Sequence, residues 1–244
     1  MTLINSHKKI IKNVFRKFGL DIQRHIPGIS DADKITSTLN FFKIDLVLDV
    51  GANVGQFASG IRDSGYAGNI ISFEPLSNAH SILEQMSSSD AKWLAYPRSA
   101  IGASNGEIEI NIAGNSVSSS VLPMLKSHIL AAPLSGYIGK ESAPLITLDS
   151  VLPDILENYK NPFLKIDTQG FEGEVLNGAR NVLPHIRGLL LELSLVPLYE
   201  GQYLWQEMIS RLNSEGFVLW AILPGFTNPD NSRTLQFDGV FFRE

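Results

Sequence analysis

Two acidic residues stand out as groups that could do chemistry, because each ends a short apolar stretch. Leu46–Leu48 reads as a buried strand that ends at Asp49 and is followed by a glycine-rich turn. Ile70–Phe73 reads as a second strand and ends at Glu74. The interval between the two carboxylates is about one strand–helix–strand step, so both are predicted at the same edge of a parallel sheet, where ligands bind.

The turn from Gly51 to Gln56 does not have the spacing of a dinucleotide-binding turn. That fingerprint has glycine at its first, third and sixth places, whereas Asn53 and Gln56 occupy the last two here. Asp49 would also repel a pyrophosphate across a low-dielectric crevice. A cationic ligand fits better, and S-adenosylmethionine carries a sulfonium and an ammonium. Its ribose hydroxyls could donate hydrogen bonds to Glu74.

Three segments together resemble one enzyme family. They are DVGANVGQF from Asp49, FEP from Phe73, and LKIDTQGFEGEVLNGA from Leu164 to Ala179. From about Phe41 to the C-terminus, the chain is similar to the FkbM-type S-adenosylmethionine-dependent methyltransferases. The third segment is the most specific, because generic methyltransferases do not carry such a run after the fourth strand. The resemblance implies methylation of oxygen, commonly on hydroxyls of sugars, glycolipids and polyketide-type natural products.

The resemblance also implies the fold class, an α/β Rossmann-like class I methyltransferase fold. Its seven-stranded, mostly parallel sheet has the order 3-2-1-4-5-7-6, with strand seven antiparallel and helices on both faces. We expect an N-terminal helical appendage over residues 1–36, a methyltransferase domain over 37–244, and an insertion at about 104–143. The later sheet strands are predicted at 93–96, 163–167, 189–193, 217–222 and 235–242, with one helix over 171–183.

The predicted cofactor contacts lie on the glycine turn, the second strand and the region after the third. On the turn they are Asp49, Gly51, Ala52, Asn53, Gly55 and Gln56, with Asp49 orienting the cationic methionine end. Glu74 is expected at the ribose. The resemblance implies that Ser99, Ala100 and Ile101 lie beside the adenine, although a plain strand and turn explains them equally well. Asp167 could hold the methionine ammonium.

A general base should assist methyl transfer to a hydroxyl, because an alcohol does not ionise at pH 7. Asp167 and Glu192, at the carboxyl ends of the fourth and fifth strands, are two candidates, and His128 in the insertion is a third. His128 has the most suitable unperturbed pKa, whereas Asp167 has the best predicted position. Asp167 and Glu192 are also hard oxygen ligands that would suit Mg²⁺, but their spacing does not single out a metal site, and we expect none.

The acceptor is predicted to meet the insertion and the turn after the fourth strand. Ser118 and Ser119 belong to a hydroxyl-rich run in the insertion, which reads either as a cover over the cleft or as an ordinary surface loop. Gln169 and Glu172 are further candidates for binding a sugar hydroxyl. Glu172 fits equally well as an acid that stabilises a helix N-terminus.

Composition excludes several functional classes. The chain has no cysteine, which removes disulfides, thiolate metal sites, cysteine nucleophiles and cysteine-held iron–sulfur clusters. The net charge of −5 argues against nucleic acid as a partner. No segment approaches the ~18 apolar residues of a membrane span, and no secretory signal is evident, so we expect a cytoplasmic protein. Residues 4–18 read as a basic amphipathic helix that either docks on the domain or gives peripheral contact with the inner membrane surface.

Other activities remain open on the sequence alone. The leading hypothesis is an O-methyltransferase acting on a hydroxyl of a sugar, glycolipid, polysaccharide or glycosylated natural product, so the expected partner is a small-molecule or glycan acceptor. An N-methyltransferase on a small molecule or nucleobase is an alternative, although such enzymes often carry an acidic-Pro-Pro-aromatic motif where this chain has Asp167 to Gly170. A noncatalytic relative that binds adenosylmethionine is another, and a nicotinamide oxidoreductase is disfavoured by the turn. The sequence leaves the oligomeric state open.

Overall fold

The computed structural model describes residues 30–243 of the 244-residue chain. The amphipathic helix predicted over residues 4–18 lies outside the described residues. Between residues 30 and 243, no helix has the length and apolar character that crossing a bilayer would need.

The strands of the described region form two sheets. In chain order they are β1 (Leu46–Val50), β2 (Asn69–Phe73), β3 (Trp93–Ala95), β4 (Ala100–Ile101), β5 (Gly106–Ala113), β6 (Tyr137–Ile146), β7 (Pro162–Ile166), β8 (Gly188–Ser194), β9 (Val218–Pro224) and β10 (Gln236–Phe242). The main sheet has seven strands in the order β3-β2-β1-β7-β8-β10-β9, and β10 runs antiparallel to both neighbours. Counted along the chain, this is the predicted order 3-2-1-4-5-7-6, so the fold class is confirmed.

Helices cover both faces of the main sheet. They are α1 (Asp31–Phe41), α2 (Gln56–Asp63), α3 (Ser77–Ser87), α4 (Lys126–Ala131), α5 (Leu148–Val151), α6 (Pro153–Leu156), α7 (Glu172–Asn177) and α8 (Trp205–Ser214), with 3-10 turns at Pro133–Ser135 and Leu183–His185. Successive side chains of a strand point to opposite faces. Leu48 of β1 therefore packs with α7 and α8, whereas Val47 packs with α1, α2 and α3. Helix α1 continues across residue 36, the predicted end of the appendage, and buries Leu39 in this second layer.

The single helix predicted over residues 171–183 is wrong in its extent. Helix α7 ends at Asn177, and a Cβ added at Gly178 would lie 1.9 Å from the carbonyl oxygen of Gly102. The backbone N–H groups of Asn181 and Val182 donate to the carboxylate of Asp149 instead of continuing a helix. The close backbone approach and this competing acceptor divide the predicted helix into a short helix and a 3-10 turn.

The second sheet contains three strands in the order β4-β6-β5. Strands β5 and β6 pair antiparallel within the predicted insertion, and β4 runs parallel to β6. The predicted insertion thus includes β5, α4 and most of β6, and its connecting segment begins at Gly114, directly after β5. This arrangement places the insertion beside the carboxyl-end edge of the main sheet.

Candidate functional site

A cleft opens at the carboxyl ends of β1, β2 and β7. One side consists of the turn after β1, the end of β2 and the turn after β7, and the other consists of β4, β5 and residues 116–121 of the insertion. This is the sheet edge where α/β proteins bind their ligands. The two sheets therefore enclose one site between them.

Left-handed backbone conformations shape the glycine turn. Gly51, Asn53 and Gly55 have φ of 75°, 47° and 88°, a region that glycine adopts without a steric cost. Gly51, Asn53 and Gln56 line the cleft. Ala52 is buried, and a Cβ at Gly55 would lie 2.8 Å from the ring of Trp93. Ala52 and Gly55 therefore support the turn from beneath and do not line the cleft.

Glu74 sits in the cleft as an almost fully buried carboxylate. Its Oε2 accepts a hydrogen bond from the Asn53 backbone N–H, and its Oε1 accepts one from that of Leu76, both at 2.8 Å. Burial outweighs these bonds and raises the pKa of Glu74 to about 7. Each carboxylate oxygen has a further lone pair. The group is thus fixed in place and still able to accept hydroxyl donors.

Asp49 lies below the glycine turn and not at the surface of the cleft. Its carboxylate is fully buried, 2.9 Å from Nζ of Lys165, and accepts a hydrogen bond from Ser72 Oγ at 3.3 Å. Lys165 also donates to the Gly51 carbonyl at 3.0 Å. Burial lowers the pKa of Lys165, but the carboxylates of Asp49 and Asp167 outweigh burial and raise it overall. Lys165 thus neutralises the Asp49 carboxylate inside the protein, and the role of Asp49 in orienting a ligand cation stays a prediction.

Asp167 and Glu192, the two strand-end carboxylates, are joined by the side chain of Gln169. The Gln169 Nε2 donates to Asp167 Oδ1 and to Glu192 Oε2, each at 2.8 Å. Its Oε1 accepts a hydrogen bond from the Tyr199 hydroxyl at 2.8 Å. Asp167 lines the cleft with 39% of its side chain exposed, whereas Glu192 lies behind it. Because Gln169 donates to both carboxylates, it fixes the position of Asp167 relative to Glu192.

Further carboxyl groups lie behind this bridge. Burial raises the pKa of Glu192 well above its ordinary range, and the charge of Asp167 adds to the rise. Asp238 pairs with Glu192 across β8 and β10, and burial together with Asp167 raises its pKa to about 7. Gln236 Nε2 donates to Glu192 Oε2 at 2.7 Å. The cluster therefore contains carboxyl groups that can hold protons near neutral pH.

His128 does not line the cleft. Its ring is buried, with Nδ1 at 2.9 Å from Ser135 Oγ and Nε2 at 3.5 Å from the Tyr199 hydroxyl. Burial lowers its pKa, which favours the neutral ring. The structure thus links His128 to Gln169 through Tyr199. The role of His128 as a general base stays a prediction.

The predicted acceptor contacts divide into two groups. Ser119 lines the cleft, whereas Ser118 is buried and its Oγ accepts from Asn115 Nδ2 at 3.0 Å. Glu172 is also buried, and its Oε1 accepts from the backbone N–H groups of Thr168 and Gly170 at 3.0 and 3.1 Å. Burial raises the pKa of Glu172 to about 7. Ser118 and Glu172 thus stabilise the loops around the cleft, and their role in substrate binding stays a prediction.

Other residues complete the lining of the cleft. Ser99, Ala100 and Ile101 line it opposite the glycine turn, and their contact with the adenine stays a prediction. Lys165 and Tyr199 were not predicted as site residues. A lysine inside an otherwise apolar strand is a signal for Lys165, because a buried charge needs a partner. No comparable signal exists for Tyr199, which depends on a tertiary contact. Within the described part of the chain, no three His, Asp or Glu side chains are arranged to hold a metal ion.

Three solved structures are similar to this chain at low sequence identity. The chain is 12% identical to the magnesium protoporphyrin IX methyltransferase of Synechocystis PCC 6803, with 97% of each chain covered and a TM-score of 0.47. It is 11% identical to an S-adenosylmethionine-dependent methyltransferase from Aquifex aeolicus, covering 88% of this chain and 90% of that one, with a TM-score of 0.45. For TehB of Haemophilus influenzae the identity is 10%, the TM-score is 0.45, and the shares covered are 86% of this chain and 61% of TehB. No curated protein matches the sequence.

The sequence itself gives the family. The profile of the methyltransferase FkbM domain matches residues 49–219, which include the glycine turn, Glu74, the Asp167 turn and Glu192. This match spans more than half of the 244 residues. The chain therefore belongs to the FkbM methyltransferase domain family and is an S-adenosylmethionine-dependent methyltransferase.

Proposed function

We propose that the protein methylates a hydroxyl oxygen of a sugar-containing acceptor, such as a glycolipid, a polysaccharide or a glycosylated natural product. Asp167 is the observation that carries this proposal. It is a partly exposed carboxylate in the cleft, and its Oδ1 is held by Gln169 at 2.8 Å. A carboxylate fixed in this way can accept the proton that a hydroxyl must lose as its oxygen takes the methyl group.

The cleft fits the cofactor through groups that are already held in place. S-adenosylmethionine supplies a methyl group on a sulfonium, which is a good leaving group. Glu74 would accept hydrogen bonds from the ribose hydroxyls, since its two oxygens are fixed by backbone N–H groups and keep free lone pairs. The cofactor would contact the glycine turn at Gly51, Asn53 and Gln56. On the opposite wall, residues 99–101 would enclose the adenine.

The surrounding side chains favour Asp167 as the base over the other two predicted candidates. Asp167 lines the cleft, whereas His128 does not. Glu192 lies behind Asp167, and its raised pKa favours the protonated form, which suits a hydrogen-bonding support better than a base. The insertion supplies the acceptor wall, where Ser119 lines the cleft and Ser120 Oγ donates to the Gln169 carbonyl at 2.7 Å.

Methyl-labelled cofactor with matched panels of hydroxyl and amine acceptors tests the proposal. We expect labelled O-methylated glycans by mass spectrometry, with one S-adenosylhomocysteine formed for each methyl transferred. Asp167→Asn should lower kcat by about 10²–10⁴ while adenosylhomocysteine still binds in calorimetry. Methylation of amines alone would establish the N-methyltransferase alternative. Binding without turnover on any acceptor would favour a noncatalytic relative.

A further inference from the structure

A group of large apolar side chains on the insertion faces solvent. Leu130, Leu134 and Ile138 have 74%, 82% and 75% of their surface exposed, and Ile129 and Val117 have 39% and 51%. We call these five side chains the outer apolar surface. Single exposed leucines are ordinary, but a group of them within one segment marks an interaction site.

The same segment turns its polar side chains inward. His128 and Ser135 are buried and lie 2.9 Å apart between Nδ1 and Oγ, and Ala131 is buried beside them. Leu130 and Leu134 alternate with these residues and point outward. The largest apolar side chains of the segment therefore stay exposed to water, which is unfavourable, unless an apolar medium covers them.

The outer apolar surface continues to the cleft. Val117 belongs to both, since it lines the cleft wall. A Cβ at Gly114 would lie 2.8 Å from the Leu134 carbonyl oxygen and 3.7 Å from Ile138 Cγ2, so these residues flank the loop that carries Val117. Whatever covers the surface therefore lies next to the point where an acceptor enters.

The charges of the segment indicate what covers it. Residues 114–138 contain no carboxylate, and their only lysine or arginine is Lys126, which is exposed. Burial lowers the pKa of His128, so it adds no charge. Apart from Val117, these apolar side chains project from α4, from the 3-10 turn at Pro133–Ser135 and from the start of β6, with no carboxylate in the segment. Such a surface matches the interfacial region of a bilayer, where Lys126 would meet the headgroup of an anionic lipid. A protein partner would instead need pockets for the projecting leucines.

We propose that the outer apolar surface inserts shallowly into the interface of an anionic bilayer, so that the mouth of the cleft faces the membrane. The contact stands on the exposed side chains and does not depend on the reaction. Its consequence for the acceptor rests on the proposed function: a sugar hydroxyl of a lipid-anchored glycan would reach the cleft without leaving the bilayer.

The chain has no cysteine, so one introduced cysteine can carry a fluorescent label at a chosen position and locate the contact. Leu134→Cys would carry an environment-sensitive dye, and Ser214→Cys, exposed at the C-terminal end of α8, serves as the matched control. With vesicles of phosphatidylcholine and phosphatidylglycerol, we expect a blue shift and quenching by spin-labelled lipid at position 134 and neither at position 214. This readout is independent of any lipid contact made by residues 1–29.

A combined variant measures how much the surface contributes. Leu130→Ser, Leu134→Ser and Ile138→Ser together should weaken vesicle partitioning of the full chain by at least about tenfold, with adenosylhomocysteine affinity unchanged as evidence of folding. The proposal is overturned if the full chain ignores vesicles, or if it binds them while the label at position 134 stays unchanged. A lipid-free shift that grows with protein concentration would reveal self-association instead. Because no methyl transfer is measured, loss of the proposed function would not affect these results.

Discussion

The buried ion pair beneath the glycine turn gives the sharpest prediction. Lys165 and Asp49 are 6% and 0% exposed, and their charged atoms lie 2.9 Å apart. Lys165→Met keeps the length of the side chain and removes its charge, which leaves the Asp49 carboxylate with Ser72 Oγ at 3.3 Å. Removing one partner of a buried pair typically costs about 3–5 kcal/mol. In a domain of this size that corresponds to a fall in Tm of about 6–20 °C.

A double variant separates the lost charge from lost packing. Asp49→Asn combined with Lys165→Met leaves no isolated charge, so we expect it to recover at least about 2 kcal/mol relative to the sum of the single changes. Urea and thermal unfolding, followed by circular dichroism, would measure the cycle. The exposed pair Lys140–Glu109, at 2.6 Å, provides the control, and Lys140→Met should cost less than about 1 kcal/mol.

Two results would refute this reasoning. One is a Lys165→Met variant that is no less stable than Lys140→Met, which would mean that the buried carboxylate of Asp49 does not need its cation. The other is full additivity in the cycle, which would show that the two side chains contribute independently. Either outcome would also remove the reason for regarding Asp49 as a support of the turn.

Three further predictions concern the cleft. The pKa of Glu74 is raised to about 7, so the folded protein holds an extra proton between pH 4.5 and 7, and its stability falls as pH rises through that window. The hydroxyls of adenosylhomocysteine favour the ionised carboxylate, so this ligand should bind about tenfold more weakly at pH 6 than at pH 8. A pH dependence of binding that persists in Glu74→Gln, measured by calorimetry, would refute the assignment. Gly51→Ala would place a Cβ 1.9 Å from the carbonyl oxygen of Asp167 and should abolish cofactor binding. Gly65 also has a positive φ, 94°, but has open space around it, so Gly65→Ala should affect only stability. Equal cofactor binding by the two variants would contradict this prediction. Tyr199→Phe removes the donor to Gln169 Oε1 and should lower kcat with little change in cofactor affinity; a change in affinity alone would count against a positioning role.

The main sheet could be predicted from the sequence because its strands are short, apolar and separated by clear turns. Leu46–Val50 and Gly188–Ser194 are buried almost throughout, which is typical of parallel strands covered on both faces. Motif spacing also placed Glu74 and Asp167 at the cleft. These positions follow from the alternation of strand and helix, a local property of the chain.

Side-chain direction could not be predicted in the same way. Asp49 and Glu74 each end a predicted strand, yet Lys165 on the neighbouring strand turns one into a buried ion pair while the other faces the cleft. His128 could be assigned to the insertion, but its burial against Tyr199 depends on a contact between residues far apart in sequence. Packing between elements decides which partner neutralises or buries a polar group. The spacing of residues along the chain does not show this packing.

The hydrogen bonds between the insertion and the turn after β7 have a kinetic consequence. Ser120 Oγ donates to the Gln169 carbonyl, and the Tyr199 hydroxyl contacts both Ser118 and Gln169. An acceptor that seats the insertion loop correctly would thereby also set the angle of the Asp167 carboxylate, the base of the proposed reaction. Acceptors that fit the loop poorly would then be discriminated mainly by a lower kcat. Analogues that bind tightly but displace the loop would be poor substrates.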